Sequence, residues 1–423
     1  MNAAHASGGG PVGGAPLPFP ALAPVLLLWS VLALLPVGRL SEVPLLVAAG
    51  WGLVLLWREG WDLLRLPGVR LALLAFAGYW LPALVSAFDA VDPGRTWGQV
   101  AAQLRFAPFA LFVAATLRTA AQWRWLLAAS ALLVAAWVLD AWLQALTGVS
   151  LGGAMTSDRL SGVFGAGNLK LGGVLAALSP LLLAWTQRRF GLPGVFAVGL
   201  LLAGVILLAG ARAAWLVYLL VLAGWCVRPF AGGSGRAIAV AGLLVVAGAG
   251  IGLAAYQLSP SFAERFDRTL HLGRGSAGDL DHALAGRLPI WRTAAAMAQA
   301  HPVNGVGVRG FRHAYADHAR PDDPWLAQGV ALHPHQLLLE LASETGLFGL
   351  VCWALTGLLL LAAGRRAPPE ARERGWPVAL ALLAMTFPLN THYAFYSSWW
   401  GLFFWWLLAV AIAVLHLRPE PPR

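Results

Sequence analysis

Twelve runs of apolar residues follow one another along the chain, near 21–38, 41–57, 69–87, 97–116, 123–145, 169–186, 192–209, 212–228, 236–256, 334–362, 376–391 and 398–416. Each is close to the roughly 20 residues that a helix needs to cross about 30 Å of hydrocarbon. The pattern predicts an all-α polytopic membrane protein with about 12 transmembrane helices. The pair of runs around Gly210 is tightly spaced, and the run at 376–391 is short. The run at 334–362 is long enough for its first turns to stand outside the lipid. One long polar interval, 257–333, interrupts the series. The chain thus divides into a flexible N-terminal tail (1–20), nine helices (21–256), a large loop (257–333), three helices (334–416) and a short tail (417–423).

Composition agrees with this division. Hydrophobic residues make up 59% and charged residues 11% of the 423, where a soluble domain carries about 25% charge. The formal net charge is +10, but the Arg residues are scattered over inter-helix loops. A nucleic-acid footprint would gather on one face among aromatics, so no nucleic-acid partner is expected. Lys170 is the one lysine. The arginine bias fits the handling of planar anions through a fixed fork of donors, or equally a GC-rich genome. Cys226 and Cys352 both sit in apolar runs, which argues against a disulfide, and no zinc ligand set is present. The N-terminal stretch lacks a basic region and does not resemble a cleaved signal peptide.

Loop charge predicts orientation. With the N-terminus in the cytoplasm, that side receives Arg58, Arg65, Arg70, Arg118, Arg124, Arg188, Arg189, Arg228, Arg236, Arg365, Arg366, Arg372, Arg374, Arg418 and Arg423. The short loops opposite receive Arg39, Arg95, Arg159 and Arg212. Cytoplasmic loops are enriched in Lys and Arg, so both termini are expected in the cytoplasm and the 257–333 loop outside, in the periplasm of a Gram-negative cell. Trp and Tyr at many run ends, such as Tyr79-Trp80 and Trp399-Trp400, read as interfacial belts.

The large loop predicts short helices at 259–273 and 288–302, a flexible 273–282, a turn-rich NGVGVRGF at 304–311 and a polar, partly mobile 311–325. It is too small for a separate enzyme domain and reads as a cap on the bundle. A second outward loop, 147–173, is Gly-rich and carries Arg159 and Asn168.

The outward face collects Arg159, Lys170, Arg212, Arg287, Arg292, Arg309 and Arg312 with His301, His313, His318, His333 and His335. A cation beside hydrocarbon, like Arg212 in AGARAAW, is costly unless it snorkels or meets an anion. Several such cations at one membrane surface suggest an anionic lipid head, most simply a diphosphate, whose oxygens match guanidinium forks. The plainer alternatives are an interfacial anchor for Arg212 and an ion pair with Asp279 or Asp281 for Arg287. No metal-binding acidic pair stands out; Asp322-Asp323 comes nearest and has no obvious partners. A mechanism without metal or cofactor is therefore expected. His335, after Pro334 at the start of a helix, can act as a base near neutral pH, or the HPHQ stretch can be a helix cap. His333 competes for the role. Glu340 and Glu344 do not share a helix face with His335 and read as supports or ion-pair partners.

Several of these residues fall into a pattern that resembles the O-antigen ligase/polymerase family of bacterial membrane glycosyltransferases. An Arg precedes an aromatic-bearing helix (Arg287, Trp291) and a PxxGxGxxxF element (Pro302, Gly305, Gly307, Phe311). His335-Gln336, Gly346 and Gly349 match the ligase hallmark in type and spacing. Arg212 in GAR and Arg159 ahead of a Gly-Asn segment match two further positions; the usual Pro of that segment is absent at Gly165-Ala-Gly167-Asn168. The resemblance implies a GT-C-like, metal-independent, inverting enzyme of the bacterial inner membrane. Its donor would be undecaprenyl diphosphate-linked O-antigen, its acceptor a sugar hydroxyl of the lipid A–core oligosaccharide, and its surroundings membrane lipids. It further implies His335 as general base, with Arg159, Arg212 and Arg287 on the diphosphate. Arg309, Arg312, Asn168, His333, Trp291 and Lys170 are candidate substrate contacts, and the protein is expected to be a monomer. An O-antigen polymerase and a protein O-oligosaccharyltransferase would share the donor site. A transporter for the same lipid is a further alternative, though no internal repeat of the kind transporters carry is evident.

Overall fold

The computed structural model describes residues 18–227, 234–258, 262–264, 266–267, 281, 284–391 and 393–418. The expected N-terminal tail up to residue 17, Arg228, most of 259–283 including Asp279, and 419–423 with Arg423 lie outside the described residues.

The chain folds into α1 (Phe19–Ala33), α2 (Glu42–Glu59), α3 (Trp61–Leu64), α4 (Pro67–Ser86), α5 (Pro93–Gln103), α6 (Phe106–Thr116) and α7 (Ala120–Thr147). A two-residue hairpin follows, β1 (Val149–Ser150) against β2 (Gly153–Ala154). Then come α8 (Lys170–Leu208), α9 (Arg212–Val227) and α10 (Ser234–Leu258). The cap contributes α11 (Leu288–Ala300), α12 (Phe311–His318) and α13 (Pro324–Ala327). The chain closes with α14 (Leu337–Arg366), α15 (Pro369–Thr386) and α16 (Ser398–Leu415).

This is an all-α polytopic membrane protein. Among the described residues, seven helical stretches are long and apolar enough to cross a bilayer: Pro67–Ser86, Pro93–Thr116, Ala120–Thr147, Lys170–Leu208, Ile238–Gln257, Leu337–Arg366 and Ser398–Leu415. Ala21–Ala33 and Arg212–Cys226 are apolar but shorter. Leu355, Leu358 and Leu361 of α14 are each more than half exposed, a face that suits lipid and not water. By contrast α16 is the buried axis, with Phe403, Trp405, Trp406 and Leu407 fully enclosed. Its Trp406 Nε1 donates to Leu28 O at 2.8 Å, and Trp399 Nε1 to Leu35 O at 3.1 Å. In lipid an unpaired indole N–H is expensive, so these bonds fix how α1 lies along α16.

Two breaks shape the bundle. In α8, Gly191 has φ +67 and non-helical geometry. The chain reverses there, because a side chain at Gly172 would touch Ala209, Ala211 and Ala214 from the far end of the element. The two apolar runs at 169–186 and 192–209 are therefore antiparallel neighbours. In α14, Gly346 has φ +64 and separates a short first segment from the long apolar one.

Hydrogen bonds sort the loops into two ends. Ser86, Thr96, Val308 and Ser343 meet at one end, through Val308 N to Ser86 Oγ, Thr96 Oγ1 to Val308 O and Val306 N to Ser343 O. At the other, Arg418 N donates to Arg118 O, and Gln122 Nε2 to Ala21 O. The cap has a small core of its own: Ile290, Ala294 and Met297 of α11 pack on Phe311, Ala314 and Tyr315 of α12. The polar 311–325 stretch was expected to be partly mobile. Its Phe311–His318 part forms α12, whose buried Phe311, Ala314 and Tyr315 recur on one face.

Candidate functional site

At the capped end, residues 302–311 thread between the break in α14 and the turn after α4. Leu347 N and Phe348 N, left without helical partners by the break, donate to Pro302 O and Val303 O at 2.8 and 3.0 Å. Val306 N and Gly307 N bond Ser343 O and Glu344 O at 2.8 and 3.1 Å. The backbones pass so closely that only glycine fits. A Cβ on Gly305 would stand 2.4 Å from the Glu344 carbonyl carbon, and one on Gly346 would stand 2.4 Å from that of Val303. Both residues also have φ near +65 to +70 (+69 and +64), where a side chain is strained. Gly305 and Gly346 in the sequence are thus the trace of two backbones interlocking, while Gly307 makes room for Ala90 and Thr96. Gly346→Ala is expected to cost about 1–2 kcal/mol for the left-handed backbone and about 1–3 kcal/mol for overpacking. A lower thermal midpoint would report it. Gly357→Ala on the same helix, where nothing lies within 4 Å, should be neutral.

Two buried carboxylates on the first segment of α14 hold the surrounding loops. Glu344 accepts from Arg309 N at 2.9 Å and Phe311 N at 3.4 Å. Glu340 accepts from Phe395 N at 3.0 Å and Tyr396 N at 3.3 Å. They serve as supports, clamping backbone N–H groups. Helical spacing from His335 did not reveal this because His335 precedes the helix, at φ +57. Gln336 is the residue that caps α14, its side chain accepting from Leu339 N. The HPHQ stretch therefore contains a cap in Gln336 and, outside the helix, the His335 imidazole.

The two imidazoles are chemically distinct. His335 Nδ1 lies 2.8 Å from Thr391 O. A carbonyl only accepts, so Nδ1 carries the proton and Nε2 presents a lone pair. His335 N in turn donates to His333 Nδ1 at 3.2 Å, which leaves the His333 proton on Nε2. The rings lie 3.9 Å apart. His335 thus offers an acceptor, and His333 a donor. Burial pushes the His335 imidazole down to about 4, the Thr391 bond pulls the other way and the charge of Arg287 adds to the fall. His333 falls well below its ordinary value through burial first, then repulsion from His335, Arg309, Arg287 and Arg312.

The cations form one field. Arg287 stands just before α11, behind Ala285 and Gly286 at φ +60 and +72. Asp281 does not pair with it: its carboxylate accepts from Leu288 N at 2.8 Å. Burial and then the nearby charge of Arg212 lower Arg287 to about 10. Arg309, at φ +64, has the same strained geometry as His335; such outliers gather where function over-determines the backbone. Arg312 is lowered by burial and then by repulsion from Arg309 and Arg95, and its Nε is buried with no hydrogen-bond partner. Arg287 therefore lies within electrostatic range of Arg212 on one side and of both imidazoles on the other, and His333 also feels Arg309 and Arg312, a setting that favours an anion. Arg95, read from sequence only as a loop residue, adds to the field.

Other predicted residues lie elsewhere or act locally. Trp291 Nε1 donates to Pro334 O at 3.1 Å and anchors the HPH turn. Asn168 Oδ1 accepts from Lys170 N at 3.1 Å, which makes Asn168 a local cap for α8. Lys170 Nζ lies 4.2 Å from the centre of the Trp399 ring. Arg159 follows the Gly-rich hairpin, and Leu160 N bonds Leu208 O at 3.3 Å beside the turn that leads to Arg212. Among the described residues no interaction joins the Arg159 side chain to Arg287 or to either imidazole. Arg292 is exposed on the outer face of α11, lining a recess with His318 and Arg320. The His301 and His318 rings lie 5.8 Å apart, tilted against each other, and His313 Nε2 lies 3.5 Å from Asp92. Asp323 has partners after all: it caps α13 through Trp325 N and accepts from Tyr315 Oη at 2.9 Å. Thr391 was missed. Only the polar interval NTHYAFYSS between two apolar runs marks it.

Residues 174–354 match a family model described as O-antigen ligase. The match begins in α8, takes in Arg212 and the cap, and ends beyond the Gly346 break. No curated protein matches the chain.

Proposed function

We propose that the chain, whose residues 174–354 match the O-antigen ligase family model, transfers a glycan from undecaprenyl diphosphate to a sugar hydroxyl of lipid A–core. That match supports ligase- or polymerase-type glycosyl transfer in general. The observation that carries the finer reading is the pairing of an accepting His335 Nε2 with a cationic field around Arg287 and Arg212.

In this reading the guanidinium groups of Arg212 and Arg287 take the diphosphate, with Arg309 and Arg312 beside them. His333 Nε2–H donates to a phosphate oxygen, and Arg159 completes the donor site from the hairpin side. His335 Nε2 removes the proton of the attacking sugar hydroxyl. The oxygen forms its bond to the anomeric carbon as the bond to the diphosphate breaks, and the leaving charge passes to the arginines. One displacement inverts the anomeric centre. The cap of α11–α13 excludes water that would otherwise hydrolyse the donor.

We read the bundle as twelve crossings: α1, α2, α4, α5 with α6, α7, each half of α8, α9, α10, α14, α15 and α16. Each runs between the two ends defined above, and α2 and α15 are long enough at 18 residues. Arg118, Arg124, Arg188, Arg365, Arg374 and Arg418 then gather opposite the cap, which supports a cap in the periplasm and both termini in the cytoplasm of an inner-membrane protein. The protein works as a monomer, its lipid-linked donor arriving sideways from the bilayer because the polyprenyl chain cannot leave it cheaply.

The test uses purified protein with undecaprenyl diphosphate-linked glycan, with and without core acceptor. Core-dependent product supports ligation; chain growth from donor alone assigns the polymerase instead. Transfer is expected to survive EDTA, since guanidinium charge stabilises the leaving group. Loss of activity that Mg²⁺ restores would show that a metal does this work.

A further inference from the structure

In the second half of α7, Asp140 and Gln144 stand one turn apart and buried, in a stretch that is otherwise apolar over 131–146. A polar side chain in a membrane helix is costly unless its hydrogen bonds are made. Gln144 makes all of them. Its Oε1 accepts from Ser161 N at 2.9 Å and Gly162 N at 2.8 Å. Its Nε2 donates to Ser150 Oγ and Ser161 Oγ, each at 3.2 Å. An amide oxygen has two lone pairs and an amide nitrogen two hydrogens, so nothing is left over. Ser150 Oγ in turn reaches Gly153 O and Gly162 O at 3.0 and 3.1 Å, and Asp140 Oδ1 accepts from Leu151 N at 2.7 Å. A side chain on Gly152 would run into Gly162 O, so the two arms of the 147–168 loop lie backbone to backbone. One carboxamide ties both arms to α7.

This anchor adjoins two residues of the proposed donor site. Residues 154–158 are exposed, and the chain turns inward at the half-buried Arg159 and the buried Leu160. Leu160 N donates to Leu208 O at 3.3 Å, where α8 ends. Gly210, at φ +70, then turns the chain into α9, which begins at Arg212. Arg159 is therefore fastened on one side to α7, through Ser161 and Gly162, and on the other to the turn that leads to Arg212.

We propose that Gln144 is a positioning residue for the donor's diphosphate: it holds Arg159 against the turn that bears Arg212, so that both guanidinium groups meet one anion. The inference rests on the reading that these arginines take the diphosphate. An amide suits the task because it accepts and donates at once and leaves no charge in the membrane helix.

The full-length protein, purified, would be titrated with undecaprenyl diphosphate and the retained lipid read by native mass spectrometry. Arg159→Ala is expected to weaken retention about tenfold, the scale of one hydrogen bond to a charged group. Gln144→Met, similar in length but unable to make these bonds, should give most of that loss. The double variant should retain no less than Arg159→Ala alone, because a residue that acts only through Arg159 then has nothing left to position. Ser161→Ala removes one of the four bonds; it should give a smaller loss of the same kind, and its double variant with Arg159→Ala is read in the same way should Gln144→Met not fold. In transfer assays the loss should appear in KM for lipid-linked donor, with KM for the core acceptor unchanged. Losses that add in the double variant, or wild-type retention by a folded Gln144→Met, overturn the proposal. A wild type that retains no undecaprenyl diphosphate overturns the donor-site reading itself, and this inference with it.

Discussion

Replacing His335 with alanine is expected to lower the single-turnover rate of transfer by about 10²–10⁴-fold, the usual contribution of a positioned general base. Binding of lipid-linked donor should remain, because the cations that hold the diphosphate are untouched. The tautomer decides which imidazole can accept. Thr391 O fixes the proton on Nδ1, so only Nε2 can accept, and the His333 Nδ1 is occupied by the His335 backbone N–H. His333→Ala should therefore weaken donor binding more than it slows the chemical step. The pH dependence gives a second readout. A base held down at about 4 is unprotonated across the neutral range, and its activity is lost only as pH falls through that value. Activity per unit donor should be flat from about pH 5 to pH 8, with the acid limb below. Near wild-type transfer by a well-folded His335→Ala variant would remove the base from the account.

Arginine 287 should produce the next largest effect. Arg287→Ala is expected to reduce transfer by about 10²–10³-fold, the scale for deleting one donor to a developing negative charge. Arg287→Lys should recover only part of this, because a lysine presents a point charge where the diphosphate is matched by a planar fork. The same substitutions separate charge from geometry. Arg287 helps to hold His335 low, behind burial as the main cause. Arg287→Gln should move the acid limb upward, whereas Arg287→Lys, which keeps the charge, should leave it near the wild-type position. A lysine variant as active as wild type would show that Arg287 acts by charge alone or only shapes the helix start.

Much of this was legible in the sequence, for specific reasons. Membrane helices announce themselves through long apolar runs, so 123–145 and 398–416 return as α7 and α16 with small shifts at their ends. The runs at 169–186 and 192–209 return as a helical pair turning at Gly191, where only the positive φ of a glycine lets the chain reverse. Gly305, Gly307 and Gly346 stood out by spacing, but not for their reason, which needs distant stretches of chain to be seen in contact. Polar residues were harder to place. Asn168 is a local helix cap, Asp323 caps a one-turn helix, and Trp291 holds Pro334; each satisfies backbone geometry that no single-chain pattern encodes. Arg105 sits inside the apolar run at 97–116 and was passed over. It makes a two-pronged pair with Glu42, at 2.9 Å through both Nε and Nη2, at the bend between α5 and α6. The resemblance pointed to His335 over His333; what no local pattern could show is the partner of its ring, the Thr391 carbonyl, 56 residues away in sequence.

The central claim is a single displacement in which His335 deprotonates the acceptor while arginines receive the departing diphosphate. Its most direct test is the anomeric configuration of the newly formed linkage, read by NMR on product made by the purified protein from donor of known configuration. The account predicts inversion at that carbon. Retention would require a covalent glycosyl intermediate and would contradict it.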